Sequence, residues 1–181
     1  HSKFKFDVKY IVMDPGYNEA NLNRILENAK KLNIPVQVHK AEIFDYVSTI
    51  AKSPCYICAR MRRGHLYRIA QENGCNKIAL GHHYDDVIET ILLSMFYSGQ
   101  YQTMMPKLHS ENFEGMELIR PMYLIREQDI LRWCKHNDLE FIRCACKFTE
   151  EDSTAHFSKR REMKELIQEM KKTNPYIEKN I

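Results

Sequence analysis

One stretch limits more than any other what this chain can fold into. Lys77 to Leu80 is a short apolar run that ends in Gly81-His82-His83-Tyr84-Asp85-Asp86. Val87, Ile88, Ile91, Leu92, Met95 and Phe96 then follow at helical spacing. Continuous apolarity over so few residues is the pattern of a strand buried on both faces of a parallel sheet, and the later stripe is one face of an amphipathic helix. In open parallel sheets ligands sit beyond the carboxyl ends of the strands, which is where this turn falls. Gly81 has no Cβ and lets a ligand approach the backbone. Asp85 and Asp86 stand at the helix start, where each is able to serve as N-cap. They also suit Mg²⁺ on phosphates, a hard cation that takes oxygen ligands. In the plainer alternative Asp85 only caps and the histidines close a loop.

The same alternation runs through the chain. Phe4 to Met13 reads as a strand, stopped by the turn signal Asp14-Pro15-Gly16. Asn18 to Leu32 reads as a helix, Ile34 to Val38 as a strand, Glu42 to Ile50 as a short helix, and Ile57 to Glu72 as a helix ended by Asn73-Gly74. Ser98 to Met116 is a long polar connection of the kind that is often functional. Glu117 to Ile119 and Glu140 to Arg143 are expected strands, and Arg126 to His136 and Ser158 to Lys172 expected helices, with Glu150 to His156 flexible. Alternating strand and helix predict an α/β fold with a largely parallel sheet.

Just upstream of the turn lies a different chemistry. Cys55 and Cys58 form a C-x-x-C pair, and five basic residues with no acidic one occupy Lys52 to Arg68. Such a patch suits phosphates, although solvated faces also carry clustered charge. The formal net charge of +3 is too mild to decide between these. Six cysteines without a secretory signal point to a reducing, cytoplasmic setting, in which ligation or catalysis outranks disulfides. No run approaches the ~18 apolar residues that a membrane-spanning helix needs. Cys75 and Cys134 read as small buried hydrophobes. Cys55, Cys58, Cys144 and Cys146 are the candidates for chemistry. Four of them suit zinc, three suit an iron–sulfur cluster with one open iron, and C-x-x-C alone suits disulfide exchange. Four unrelated buried cysteines is the remaining reading.

The segments Cys55-Tyr-Ile-Cys58-Ala-Arg-Met-Arg-Arg-Gly-His-Leu-Tyr67 and Ala79-Leu-Gly-His-His-Tyr-Asp-Asp-Val-Ile-Glu-Thr90 closely resemble the tRNA 2-thiocytidine synthetases (TtcA-type) of the PP-loop, or N-type ATP pyrophosphatase, superfamily. The similarity continues through Ile119-Arg-Pro-Met122, the Glu127–Asp129 helix start and the Cys144 region. It implies a three-layer, mainly parallel, adenine-nucleotide α-hydrolase-like fold over residues 1–147, followed by a loop and a charged helix over 148–181. The implied enzyme is an ATP-dependent tRNA sulfurtransferase that adenylates a cytidine C2 oxygen in the anticodon loop, releases pyrophosphate and lets sulfur displace AMP. By position, Met13 and Asp14 fall at adenine and ribose, and Gly81, His82, Asp85 and Asp86 in the second nucleotide motif. Asp85, Cys55 and Cys58 are the implied catalytic set. Cys55, Cys58 and Cys144, with Cys146 as the alternative, match the ligands of a 4Fe-4S cluster.

Implied cofactors are ATP, Mg²⁺ and that cluster, with Zn²⁺ as the alternative to it. Implied partners are tRNA, a sulfur-donor protein or sulfide, and a second copy in a homodimer, with no membrane. Arg60, Arg63 and Arg68 are the expected RNA contacts, Arg62 is expected to turn toward the nucleotide or the core, and Tyr67 with Lys159, Arg160 and Arg161 is expected to extend the surface. Two departures stand out. The family's Ser-Gly-Gly-x-Asp-Ser loop does not occur in the sequence, so it is expected upstream and the chain alone is expected to be inactive. C-x-C also replaces the second C-x-x-C of the family. Competing expectations are a zinc-stapled RNA-binding module without catalysis and a PP-loop amide ligase.

Overall fold

The computed structural model describes residues 4–49, 54–142 and 159–181. The chain divides into two compact units, His1–Ile69 with Asp138–Glu151, and Ala70–Asn137 with Asp152–Ile181.

In the first unit β1 (Tyr10–Asp14) pairs in parallel with β2 (Val36–Lys40), Tyr10 opposite Val36 and Asp14 opposite Lys40. The helix α1 (Glu19–Lys31) connects them. Asn18 caps it, its Oδ1 accepting the Asn21 N–H at 2.8 Å, as expected of a short polar side chain at a helix start. At the other end Asn33 takes φ 53°, a left-handed conformation that asparagine tolerates. This lets the Ile34 N–H return to the Ala29 carbonyl at 2.8 Å. The short helix α2 (Ile43–Ser48) buries Ile43 and Val47 against Met13, and α3 (Pro54–Glu72) lays Ile57, Cys58, Met61 and Leu66 on the same cluster.

Of the expected strands of this unit, Phe4–Met13 is shortened to Tyr10–Asp14 and Glu140–Arg143 does not form over residues 140–142. Residues 4–9 form no strand, and Phe4, Phe6 and Val8 are exposed. Alternation alone does not make a strand where no partner strand pairs with it. Residues 140–142 are irregular too, and Arg143 lies outside the described residues. Polar contacts tie that segment to α1: Asn28 Nδ2 donates to the Glu140 carbonyl at 2.7 Å, and Lys31 Nζ to the Asp138 carbonyl at 2.7 Å.

In the second unit the sheet order is β3-β5-β4. β3 (Lys77–Ala79) runs parallel to β5 (Glu117–Ile119), and β4 (Lys107–His109) runs antiparallel to it. β4 lies inside the connection expected to be irregular. Three residues are too few to show a period. β3 is less buried than its apolar run suggests, with Lys77 and Ala79 exposed and Ile78 half-buried. In this sheet it has one hydrogen-bonded neighbour.

The core of this unit lies between α4 (Tyr84–Ser98) and α6 (Lys159–Thr173), where Ile88 and Leu92 pack on Met163 and Ile167. α5 (Glu127–His136) buries Cys134, while Cys75 is only half-buried. A last short helix, α7 (Ile177–Asn180), was not expected. Ile88 is 3% exposed, so Ile88→Ala should cost about 2–5 kcal/mol through lost transfer energy and a residual cavity. A lowered urea midpoint measures this, and an unchanged midpoint would show that this core does not hold the unit. Among the described residues no helix is long and apolar enough to cross a membrane.

Candidate functional site

The turn after β3 is built by reciprocal hydrogen bonds. Leu80 N–H extends the strand ladder to the Ile119 carbonyl at 3.0 Å, after which Gly81 and His82 lead to His83. His83 is the N-cap of α4: its Nδ1 accepts the Asp86 N–H at 3.4 Å, and Asp86 Oδ2 accepts the His83 N–H at 3.0 Å. This capping box satisfies two otherwise orphaned donors at once. Neither aspartate is the N-cap, contrary to expectation. Both lie in the first helical turn, because the helix begins one residue before Asp85.

Asp85 reaches across to the next helix. Its Oδ2 accepts the Glu127 N–H at 2.8 Å, capping α5 from a distance, and its Oδ1 lies 3.1 Å from the Arg126 guanidinium. Arg126 itself stacks 4.8 Å above the Tyr84 ring and pairs with Glu178 at 2.6 Å. Asp86 Oδ1 accepts from Arg160 at 2.9 Å, and the same nitrogen reaches Glu89 Oε2 at 3.0 Å. The side chains of Asp85 and Asp86 are about a fifth exposed, so neither is sealed inside a helix contact. A cavity of about 340 Å³ opens beside Asp85, lined also by Glu89, Arg126, Lys164 and Glu178.

Burial and the neighbouring Arg120 push the His82 imidazole below its usual value of 6.5. Arg120 Nε donates to His82 Nδ1 at 3.4 Å. His82 is therefore neutral at pH 7, with its Nδ1 lone pair taken by Arg120 and its proton on Nε2. A base with a depressed folded pKa adds stability that is present above its unfolded pKa and is lost as pH falls through the folded one. Cooling of Tm between about pH 7.5 and pH 5 should therefore be smaller in His82→Gln than in the parent protein. Equal losses would contradict this assignment. A Cβ built on Gly81 would touch the flexible end of Met122, Cε, at 3.4 Å, an ordinary contact.

In the first unit Met13 and Asp14 are each 6% exposed. Met13 belongs to the core cluster with Ile43 and Val47. Asp14 Oδ1 accepts the N–H groups of Gly16 at 2.9 Å and Tyr17 at 2.7 Å, and so shapes the loop after β1.

The C-x-x-C pair lies within α3, which begins three residues before the expected start. Cys58 is half-buried against the Met13–Ile43–Val47 cluster. The Cys55 side chain, Cys144 and Cys146, and the loop expected at 150–156, lie outside the described residues. Among the described residues no group of three or more His, Cys, Asp or Glu is arranged to hold a metal ion.

Arg60, Arg62 and Arg63 are exposed on α3, and among the described residues no ion pair reaches them. Arg62 is thus not turned into the core. Arg68 is exposed and donates to His65 Nδ1 at 2.8 Å. Tyr67, expected on the surface, is 6% exposed and cannot stack on a base. Arg160 and Arg161 are engaged with acids, Arg161 with Glu165 at 2.8 Å. Lys159 lies 4.2 Å over the Tyr97 ring. Sequence reasoning missed Glu89, Arg126 and the pairing role of Arg160. The i,i+3 spacing of Asp86 and Glu89 on one helix face was the available signal for a cation opposite.

Residues 13–153 match a family described as a PP-loop domain. A tRNA-cytidine(32) 2-sulfurtransferase of Coxiella burnetii (strain RSA 493 / Nine Mile phase I) is 37% identical over 185 residues, covering 98% of this chain and 68% of that protein. One from Geotalea daltonii is 35% identical over 181 residues, covering 98% of this chain and 69% of that protein. Among solved structures, the U34-tRNA thiolase NcsA from Methanococcus maripaludis with its 4Fe-4S cluster superposes with a TM-score of 0.70 at 20% identity. The match covers 93% of this chain and 56% of that one, and it is a likeness of fold.

Proposed function

The chain belongs to the PP-loop family, and from that premise we propose that it carries out ATP-dependent thiolation of a tRNA cytidine at C2. The observation that carries this reading is the pairing, in one chain, of a C-x-x-C helix start and the reciprocally capped Gly81–Asp86 turn. That pairing occurs in a sequence similar over 98% of its length to cytidine sulfurtransferases. The C2 carbonyl oxygen attacks the α-phosphorus of ATP, and pyrophosphate leaves. Sulfur then adds at C2, the C–O bond breaks and AMP departs with its electron pair. Oxygen is a poor leaving group until adenylated, so the protein must offset phosphate charge during the first step.

Gly81 and His82 would approach the nucleotide through main chain and a neutral ring. Met13 and Asp14 remain the candidates for adenine and ribose. Asp85 and Asp86 would hold Mg²⁺ together with phosphate oxygens and water, the usual mixture for this ion. Cys55 and Cys58 are three residues apart in α3, and the apolar cluster beside Cys58 supplies the low-water surroundings that an iron–sulfur cluster needs. They and Cys144, or Cys146 in its place, would hold the 4Fe-4S cluster, which when bound supplies an open iron for a sulfur ligand. The sulfur comes from sulfide or a donor protein, and the protein works in the cytoplasm as a homodimer.

Release of pyrophosphate from ATP tests the first step. It should require tRNA whose target cytidine is unmodified, and equal release without tRNA would contradict the reading. Arg60 and Arg63 should hold RNA phosphates. Arg60→Ala with Arg63→Ala should lower tRNA affinity and flatten the salt dependence by a log–log slope of about 1–2. An unchanged slope would place the RNA elsewhere.

A further inference from the structure

We propose that Arg160, on the C-terminal helix α6, is a positioning residue for the nucleotide turn, holding Asp86 so that Asp86 in turn holds His83. The inference rests on the reading of Gly81–Asp86 as the nucleotide motif. One guanidinium nitrogen bridges Asp86 Oδ1 at 2.9 Å and Glu89 Oε2 at 3.0 Å, and the other lies 3.5 Å from Thr90 Oγ1. Asp86 and Glu89 are one turn apart on α4, and the Glu89 side chain is only 7% exposed. Two carboxylates so placed repel each other in a medium that screens poorly, and a shared cation removes the repulsion.

The geometry then runs outward from Arg160. With Oδ1 taken by the guanidinium, Asp86 presents Oδ2 to the His83 N–H at 3.0 Å, and His83 Nδ1 answers with the Asp86 N–H at 3.4 Å. Without the cation, the Asp86 carboxylate is free to swing away from Glu89. The capping box then loses its acid half, and His82 and His83 lose their fixed backbone. The rest of α6 does not depend on Arg160. Met163 and Ile167 stay packed on Ile88 and Leu92, and Lys164 stays paired with Glu127. α6 is thus a clamp on the ATP-binding turn rather than only a packing element.

The test uses the native protein with Arg160→Met and Arg160→Lys. Arg160→Met should remain folded and raise both the Kd for ATP and its KM on the order of 10-fold to 100-fold, as expected for misplacement of a binding group. Its kcat at saturating ATP should fall by less than its KM rises, because Asp86 is displaced and not removed. Amide exchange at His83 should quicken in the same variant. Arg160→Lys keeps the charge but reaches one carboxylate at a time, so it should recover part of the ATP affinity. Adding Glu89→Gln to Arg160→Met should also recover part of it by removing the repulsion. ATP binding unchanged in folded Arg160→Met overturns the clamp alone. A parent protein that binds no ATP overturns the nucleotide reading and the clamp with it. A parent that binds ATP but makes no thiolated tRNA leaves the clamp standing and overturns the proposed reaction.

Discussion

Cys58→Ala is expected to abolish iron retention and to lower tRNA thiolation by at least about 10²-fold, with the fold kept. Cys58 sits half-buried beside Met13, Ile43 and Val47, so alanine removes one sulfur from an apolar contact. The stability lost should be only about 1 kcal/mol. A structural thiol would show that small loss and nothing else. A ligand shows it together with loss of iron, sulfide and colour in anaerobically prepared protein. Cys134→Ala and Cys75→Ala are the matched controls, one thiol buried in α5 and the other half-buried before β3. Both should retain full iron and activity. Full iron content in Cys58→Ala would remove the cluster from α3.

Asp85→Asn is expected to lower tRNA-dependent pyrophosphate release by about 10² to 10³-fold, the usual effect of deleting one charged participant in a polar site. The substitution separates the two roles that the sequence left open. Asparagine keeps an oxygen for the Glu127 N–H, now accepted at 2.8 Å, so the remote cap of α5 survives. What disappears is the negative charge facing Arg126 at 3.1 Å and available to a cation. Asp85→Ala removes the cap as well and should cost a further ~1 kcal/mol of stability. If Asp85→Asn turns over at the parental rate while Asp85→Ala only melts earlier, Asp85 is a cap and nothing more.

The strand, turn and helix around Gly81–Asp86 were legible because local signals agreed: a short apolar run, a glycine, polar residues and then a helical stripe. α1 was legible for the same reason, with Asn18 ahead of Leu22, Ile25 and Ala29. Where local pattern and partner disagreed, the partner decided. Phe4, Phe6 and Val8 alternate like a half-buried strand, yet the strand begins only at Tyr10. Lys107–His109 has no period to read and becomes a strand because β5 lies beside it.

The site was legible as a location and not as a set of bonds. That His83 rather than Asp85 caps α4 depends on a two-residue shift of the helix start, which sequence fixes poorly. Tyr67 is buried while Arg60 and Arg63, seven and four residues before it on the same helix face, are exposed, so spacing alone could not separate them. Arg160 lies seventy-four residues from Asp86 and could be matched to it only once α6 was seen against α4.

The most direct measurement is nucleoside analysis of unmodified tRNA after incubation with the anaerobically prepared native protein, ATP, Mg²⁺ and sulfide. 2-Thiocytidine should accumulate with AMP and pyrophosphate in equal amounts and be absent when ATP is omitted. Thiolation without ATP, sulfur on uridine in place of cytidine, or ATP and tRNA binding with no thionucleoside at all would contradict the proposed reaction.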